Sequence, residues 1–190
     1  ARAVVEVQGG DSNHVIQNCF IHSPGNMAYY GYCLRLWGVG GNMFFNNTFI
    51  SSMAEPAVFI FSPPGRWDVS PSFKNNIVIN IGSGPAVGYE WFSNRTPPVY
   101  QMSPCVSDHN CYYSRNTSNL IRVSTWYKST VTAFSGNLSG FRAWQKMNPS
   151  AIAPGGVTSY DANSVEMDPG LINMYTPFNI HLKLTSPVLD

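Results

Sequence analysis

The chain has few charged residues. Lys, Arg, Asp and Glu make up 11% of its 190 positions, less than half of the share of about 25% that is usual in soluble domains. The formal net charge is +1, and no Lys/Arg cluster offers the basic surface that binds nucleic acids or anionic membranes. No apolar run approaches the roughly 20 residues needed to span a bilayer. The sequence therefore predicts neither a nucleic-acid partner nor membrane insertion.

The four cysteines include no Cys-X-X-Cys pair, so the common zinc and thiol-redox motifs are missing. Buried free thiols are the first interpretation of Cys19 and Cys111, while Cys105–Cys111 and Cys19–Cys33 stay open as disulfides. An even cysteine count and low charge are compatible with a secreted protein. The chain begins without Met or a signal-peptide layout and stops abruptly, so we expect a piece of a longer protein.

A short asparagine-centred motif recurs four times in the first two thirds of the chain. The copies occupy residues 16–21, 45–50, 74–79 and 108–113 and align without gaps. Their central residues are Asn18, Asn47, Asn76 and Asn110, at steps of 29, 29 and 34 positions. Repeats of this length are typical of solenoids, in which equivalent residues stack in columns.

Each copy is followed by a turn and a second β-prone run, at 32–37, 57–61, 86–92 and 120–123. Two short strands per repeat, with no helical period between them, predict a coil of parallel strands. In such a coil an inward asparagine column satisfies buried turn backbone and its own amides, and we expect Cys19, Thr48, Ile77 and Cys111 to fill the interior beside it. Leucine-rich repeats are the structural competitor, but they need Leu-spaced repeats of about 20 to 29 residues.

Over residues 12–125 these coils resemble the right-handed parallel β-helix repeat proteins of the pectate-lyase-like superfamily. A second resemblance lies in the order of four tail segments, Phe141–Gln145, Asp161–Ser164, Asp168–Leu171 and Leu184–Asp190. That order is similar to the closing segment of many secreted bacterial β-helix proteins, including glycoside hydrolases and polysaccharide lyases. The resemblance implies an all-β, right-handed parallel β-helix of about four to six coils, in a secreted or cell-surface protein.

The expected organisation is a single β-helix domain over residues 1–190. Residues 1–125 form the coils, 126–167 an irregular excursion with a short helix, and 168–190 closing strands. Within the excursion, Ser139 is expected to N-cap a helix over about 140–147 that ends before Pro149.

Carboxylates are the first candidates for chemistry. Glycosidases need two of them about 5 to 10 Å apart, and stacked coils can place Glu55 and Glu90 on one face, with Asp68 on the loop between. Arg35, on a related strand run, is the basic candidate, because its guanidinium can bind an acidic sugar bidentately. The alternative is that Glu90 only pairs with Arg35 while Glu55 and Asp68 are solvated. The resemblance implies that lyases of this fold hold Ca²⁺ with carboxylates. The six Asp and four Glu would have to converge from different coils to do this, so no cofactor and no metal ligand is predicted, and a Ca²⁺ site stays the alternative.

Aromatic residues are the candidates for substrate binding. Trp37, Trp67, Tyr89 and Trp91 lie on or near the second strand runs, where exposed rings would stack on the apolar faces of sugars. Burial beneath the loops is the alternative.

Two functional hypotheses remain at this stage. The first is an extracellular carbohydrate-active protein, a polysaccharide lyase or glycoside hydrolase, that binds a polysaccharide along one outer face. The second is a non-catalytic cell-surface, adhesion or fibre-forming protein that self-associates through open solenoid ends. In both, the asparagine column determines the fold, and function is expected on the outward strand that follows each motif.

Overall fold

The structure is a computed structural model that describes residues 3–8, 13–24, 31–37, 41–62, 71–92, 105–115, 117–127, 129–149, 160–175 and 179–186. At a few of these positions, among them 91, 92 and 125–127, only the backbone is described. None of the helices in these ranges is long and apolar enough to cross a membrane.

Strands dominate the described residues. In chain order they are β1 (Ala3–Gln8), β2 (Val15–Gln17), β3 (Phe20–Ser23), β4 (Tyr32–Trp37), β5 (Met43–Phe45), β6 (Thr48–Ser51), β7 (Val58–Ser62), β8 (Ser72–Lys74), β9 (Ile77–Asn80), β10 (Val87–Phe92), β11 (Val106–Asp108), β12 (Cys111–Ser114), β13 (Ile121–Tyr127), β14 (Ser129–Gly136), β15 (Val165–Glu166), β16 (Leu171–Asn173) and β17 (Asn179–Leu182). A 3-10 turn spans Thr117–Asn119, and the helix α1 spans Leu138–Met147.

The strands stack into three parallel sheets, which the chain visits in turn. The first sheet runs β1-β4-β7-β10-β13, the second β2-β5-β8-β11 and the third β3-β6-β9-β12-β15. This arrangement is a solenoid-like β fold. It contains three strands per repeat where the sequence predicted two, because each asparagine motif is a corner between two sheets and not one strand.

The corner is formed by a residue in the left-handed region. Asn18, Asn46, Asn75 and His109 have φ values of 55°, 57°, 54° and 56° and connect a strand of the second sheet to one of the third. Asparagine tolerates this conformation better than most residues because its short amide bonds locally. The left-handed backbone therefore accounts for Asn at three of these four corners, and His109 adopts the same conformation at the fourth.

The next residue of each corner builds the buried amide column. Asn47 Oδ1 accepts a hydrogen bond from Cys19 N at 3.0 Å, Asn76 Oδ1 from Asn47 N at 3.0 Å, and Asn110 Oδ1 from Asn76 N at 2.9 Å. The side chains of Asn47, Asn76 and Asn110 are about 1% exposed. Since each amide binds the backbone of the preceding coil, the column fixes the register between coils.

Asn18 is not part of this column. Strand pairing aligns Gln17 with Phe45 and Phe20 with Thr48, so Asn18 is equivalent to Asn46 and Cys19 takes the column position. The gapless alignment thus placed the first motif one residue out of register. Asn18 is exposed and belongs to the left-handed corner position.

The prediction of buried free thiols is confirmed for Cys111 and wrong for Cys19. All four thiols are free, and Cys19 is exposed while Cys33, Cys105 and Cys111 are buried. The interior expected at Thr48, Ile77 and Cys111 lies one residue further along, at Phe49, Val78 and Tyr112, and the equivalent core residue of the first motif is Ile21, two residues after Cys19. Strand alternation explains the shift, because Thr48 and Ile77 turn outward and are only half-buried.

We predict that Asn76→Ala destabilises the fold by about 2 to 3 kcal/mol, whereas Asn18→Ala changes the free energy of unfolding by less than about 0.5 kcal/mol. Asn76 Nδ2 donates to Phe44 O at 3.0 Å and its Oδ1 accepts from Asn47 N, so truncation leaves both buried groups unpaired. Urea denaturation of the two variants measures the difference. Equal effects would contradict the corrected register.

The C-terminal part closes the stack. Strand β14 pairs antiparallel with β13, and α1 follows it. The N-cap is Asn137 in place of the expected Ser139: its Oδ1 accepts from Gly140 N at 2.8 Å, while Glu166 Oε2 accepts from Leu138 N at 2.9 Å. The helix gives way at the C-cap Asn148, before Pro149.

The last described residues form an antiparallel hairpin, β16–β17. Leu171 packs there with Ile50 and Ile79, on the outer side of the third sheet. These two strands lie in a separate sheet and do not add a further coil to the three parallel sheets.

Ser164 takes the position after Asn110 in the amide column, where its Oγ accepts from Asn110 N at 2.9 Å, and Asp161 lies beside this end of the column. Its carboxylate is fully buried and accepts hydrogen bonds from Tyr89 OH at 2.9 Å, Tyr112 OH at 2.8 Å, Ser107 Oγ at 2.9 Å and Ser164 Oγ at 2.7 Å. Desolvation, followed by the neighbouring carboxylate, holds the pKa of both phenols well above the ordinary tyrosine value. Asp161 therefore joins the C-terminal segment to the coil interior.

Candidate functional site

The outer face of the first sheet gathers most of the candidate residues. Side chains alternate along each strand, so those at every second position share one face. Strand pairing defines two outward rows across β1, β4, β7, β10 and β13. One row is Glu6, Arg35, Phe59, Gly88 and Arg122, and the other is Gln8, Trp37, Phe61, Glu90 and Ser124. The two rows combine acidic, basic and aromatic side chains, and we call them the outer face.

Glu90 is the perturbed carboxyl of this face. It lies opposite Ser124 in the pairing of β10 with β13, and Ser124 Oγ donates to Glu90 Oε2 at 3.0 Å. Burial raises the pKa of Glu90; the Ser124 hydrogen bond and Arg122 oppose that rise, and Glu55 adds to it. A half-buried carboxyl with a raised pKa beside a second carboxylate has the environment of a general acid.

Glu55 reaches the same face from the turn before β7. Asn80 Nδ2 donates to Glu55 O at 2.9 Å and fixes that turn, and Arg122 Nη2 lies 3.3 Å from Glu55 Oε2. The ion pair passes over β10 at Gly88, which has no side chain to obstruct it. A Cβ at this position would lie 2.7 Å from Pro56 Cγ. Gly88 and Glu90 are about 6.6 Å apart along one strand, which brings the two carboxylates into one neighbourhood.

Arg35 does not make the predicted pair with Glu90. Its Nη1 forms an ion pair with Glu6 Oε1 on the neighbouring strand, and its guanidinium lies 4.1 Å from the centroid of Trp37. Register explains the correction, since Arg35 and Glu90 occupy different outward rows. The Nε atoms of Arg35 and Arg122 are buried and make no hydrogen bond, so both guanidinium groups are partly desolvated.

The aromatic candidates are divided. Tyr89 lies two residues after the buried Val87 on β10, so its side chain also points into the interior, where it is fully buried. The prediction that Tyr89 binds substrate on the surface is therefore wrong. Trp37 is half-buried on the outer face, 4.5 Å from Phe61 between ring centroids. Trp67 and Asp68 lie outside the described residues, as does the side chain of Trp91.

Three residues were missed at the sequence level: Arg122 and Ser124 of the outer face, and Tyr32, which packs against its Phe59. Tyr32 stacks on Phe59 with ring centroids 4.8 Å apart, and burial, then Glu55 and Glu90, raises its pKa. Arg122 and Ser124 contact the two carboxylates directly. Arg122 lay in the fourth β-prone run, and outward alternation on that run would have marked it as a neighbour of Glu90. Nothing in the sequence separates Ser124 from the many other serines.

Metal ligands do not cluster in the described ranges, where no three His, Cys, Asp or Glu side chains come together in a way that could hold an ion. Comparison of the chain with protein-family models, with curated proteins and with solved structures found no match. The geometry of the outer face is therefore the basis for a functional assignment.

Proposed function

We propose that the chain is an extracellular, carbohydrate-active, right-handed parallel β-helix protein of pectate-lyase-like type that cleaves a polysaccharide along the outer face of its first sheet. The finer fold assignment is supported by the rotation of the chain through three parallel sheets and by the amide column at the corner between two of them. Such solenoids carry long outward surfaces on which an extended polymer can lie.

One observation carries the catalytic part of the proposal: Glu90, a carboxyl with a raised pKa, shares the outer face with the Arg122-paired carboxylate of Glu55. Hydrolysis of a glycosidic bond requires two such groups in different protonation states. Trp37, on the same row as Glu90, supplies an aromatic edge for a sugar ring.

The second candidate is a non-catalytic glycan-binding or adhesion protein, and ion pairing favours it. Arg35–Glu6 and Arg122–Glu55 are both intramolecular pairs, as expected if the charges only stabilise stacked strands. Tyr32, Phe59 and Phe61 are also 5 to 7% exposed, so that, among the outer-face side chains that the structure describes, Trp37 is the accessible ring.

A screen of pectic, alginate, xylan and fucosylated polysaccharides tests the proposal. Cleavage is followed as new reducing ends and as absorbance of unsaturated products, and retention on each immobilised polymer is measured in parallel. New chain ends from at least one polymer support the enzyme. Retention without cleavage supports the binding protein, and neither retention nor cleavage overturns the carbohydrate assignment.

A further inference from the structure

Strand β13 contacts both carboxylates through two side chains of the same face. Arg122 and Ser124 are two residues apart on β13 and therefore point the same way. Arg122 Nη2 lies 3.3 Å from Glu55 Oε2, and Ser124 Oγ donates to Glu90 Oε2 at 3.0 Å. One charged and one neutral donor thus face two acids that are otherwise chemically identical.

We propose that β13 sets the division of labour at this site, with Ser124 positioning Glu90 as the proton donor and Arg122 positioning Glu55 as the carboxylate in hydrolysis of a glycosidic bond. This inference rests on the proposed function and selects hydrolysis over elimination. Arg122 and Ser124 act through the two acids and are positioning residues.

The step balances with water as the co-reactant. Glu90 transfers its proton to the glycosidic oxygen as the bond between that oxygen and the anomeric carbon breaks, and the bonding electron pair leaves with the oxygen. Glu55 removes a proton from a water molecule whose oxygen forms the new bond to the anomeric carbon. At the end of the step Glu90 is ionised and Glu55 carries the proton taken from water, and proton exchange with solvent restores both groups.

The surroundings of the two donors fit these roles. Ser124 is 1% exposed and is held opposite Glu90 by strand pairing, so its hydroxyl fixes the rotamer of the Glu90 carboxyl with a neutral donor. A neutral donor favours the ionised form less than a cation does, and burial then keeps the carboxyl protonated to higher pH. Arg122 meets Glu55 at the more accessible end of the cluster, where a charged pair is tolerated.

Carbon-detected NMR of the glutamate side chains tests the positioning without any substrate. The chain has four glutamates, so a ¹³C-glutamate sample gives four titrating carboxyl signals, and Glu90→Gln assigns the one of interest. We expect Ser124→Ala and Arg122→Gln each to raise the Glu90 titration midpoint, Ser124→Ala by about half to one pH unit. The control is Ser135→Ala on β14, which removes a hydroxyl that donates to Asn119 Oδ1.

A Glu90 midpoint that moves in neither Ser124→Ala nor Arg122→Gln overturns the inference. Because Ser124 is buried, its replacement can prevent folding. If Ser124→Ala does not fold, Arg122→Gln at a partly exposed position still shows whether the Glu90 titration midpoint moves. The proposed function can survive that result, because the titration needs no activity.

On a cleaved polymer, the proposal predicts saturated products with one new reducing end per cut, and a falling limb of the pH–rate profile that moves to higher pH in Ser124→Ala. The direction follows from the acid role: Glu90 is active while protonated, and loss of the Ser124 donor raises its pKa. Unsaturated products would show elimination and overturn the hydrolytic assignment while leaving a carbohydrate-active enzyme. An unmoved falling limb would remove Ser124 from the mechanism.

Discussion

Glu90→Gln is expected to lower the rate of polysaccharide cleavage by about 10²- to 10⁴-fold, the usual contribution of a general acid. The amide has nearly the same shape and can still accept from Ser124, but it cannot supply a proton to the leaving oxygen. Initial rates on the polymer identified by the screen measure the effect. Glu166→Gln is the matched control, because Glu166 Oε2 only caps the helix at Leu138 N.

The folding of Glu90→Gln separates chemistry from stability. A carboxyl whose pKa is raised by folding binds its proton more tightly in the native state, so its contribution to stability is complete at low pH and is lost as the pH rises through the folded-state pKa. Gln carries no charge at any pH, and we therefore expect the variant to be at least as stable as the wild type near pH 7. A stable variant with unchanged cleavage rate would exclude Glu90 as the acid.

The column of buried amides could be predicted from the sequence because Asn recurs at a regular spacing. Which residue of the first motif occupies the column position could not be predicted. Two later motifs contain Asn-Asn pairs, Asn46-Asn47 and Asn75-Asn76, and their two members do different work: one adopts the left-handed corner and the other enters the column. The first motif has a single Asn, so a gapless alignment cannot tell which role it plays. Strand pairing with Phe20 opposite Thr48 decides the question.

The candidate site was predicted in part for a similar reason. Stacking of coils correctly brings Glu55 and Glu90 into one neighbourhood, since their positions depend on neighbouring repeats of regular length. The partners of both acids come instead from β13, after the 34-residue step. Which side chains of β13 face Glu55 and Glu90 depends on local irregularities of the strands. One is visible where Cys33 N and Leu34 N both donate to Ala57 O. Such bulges shift alternation by one residue and are not encoded in residue type.

The inward assignment of Tyr89 shows how strongly alternation constrains the site. Glu90 and Tyr89 are neighbours on β10, so one faces outward only if the other faces the core. A tyrosine inside a solenoid needs a partner for its hydroxyl, and Asp161 provides it. Strand β10, which carries Glu90, is therefore anchored on its inner side by the C-terminal segment.

Replacement of Asp161 is expected to give the largest loss of stability in the molecule. Asp161→Ala leaves the hydroxyls of Tyr89, Tyr112 and Ser164 without this acceptor inside the core. At roughly 1 to 3 kcal/mol per buried unsatisfied group, we expect a loss of about 4 kcal/mol or more, a large fraction of the 5 to 15 kcal/mol typical of a folded domain. Urea denaturation followed by aromatic fluorescence should show a lower midpoint with an unchanged slope.

The matched substitutions Asp161→Asn and Asp168→Asn separate the carboxylate from the backbone. Asn tolerates the left-handed φ of 55° at position 161, so the first variant keeps the turn but places an NH₂ group where only donors already point. We expect it to lose about 2 to 3 kcal/mol. Asp168 is exposed and accepts from Gly170 N through Oδ1 alone, a bond that an amide oxygen can keep, so its variant should stay within about 0.5 kcal/mol of the wild type. Equal stability of the two variants would show that the Asp161 carboxylate does not bind the C-terminal segment to the coils. The inner side of β10 would then be supported by apolar packing of Tyr89 against Phe141, whose ring centroids lie 5.9 Å apart.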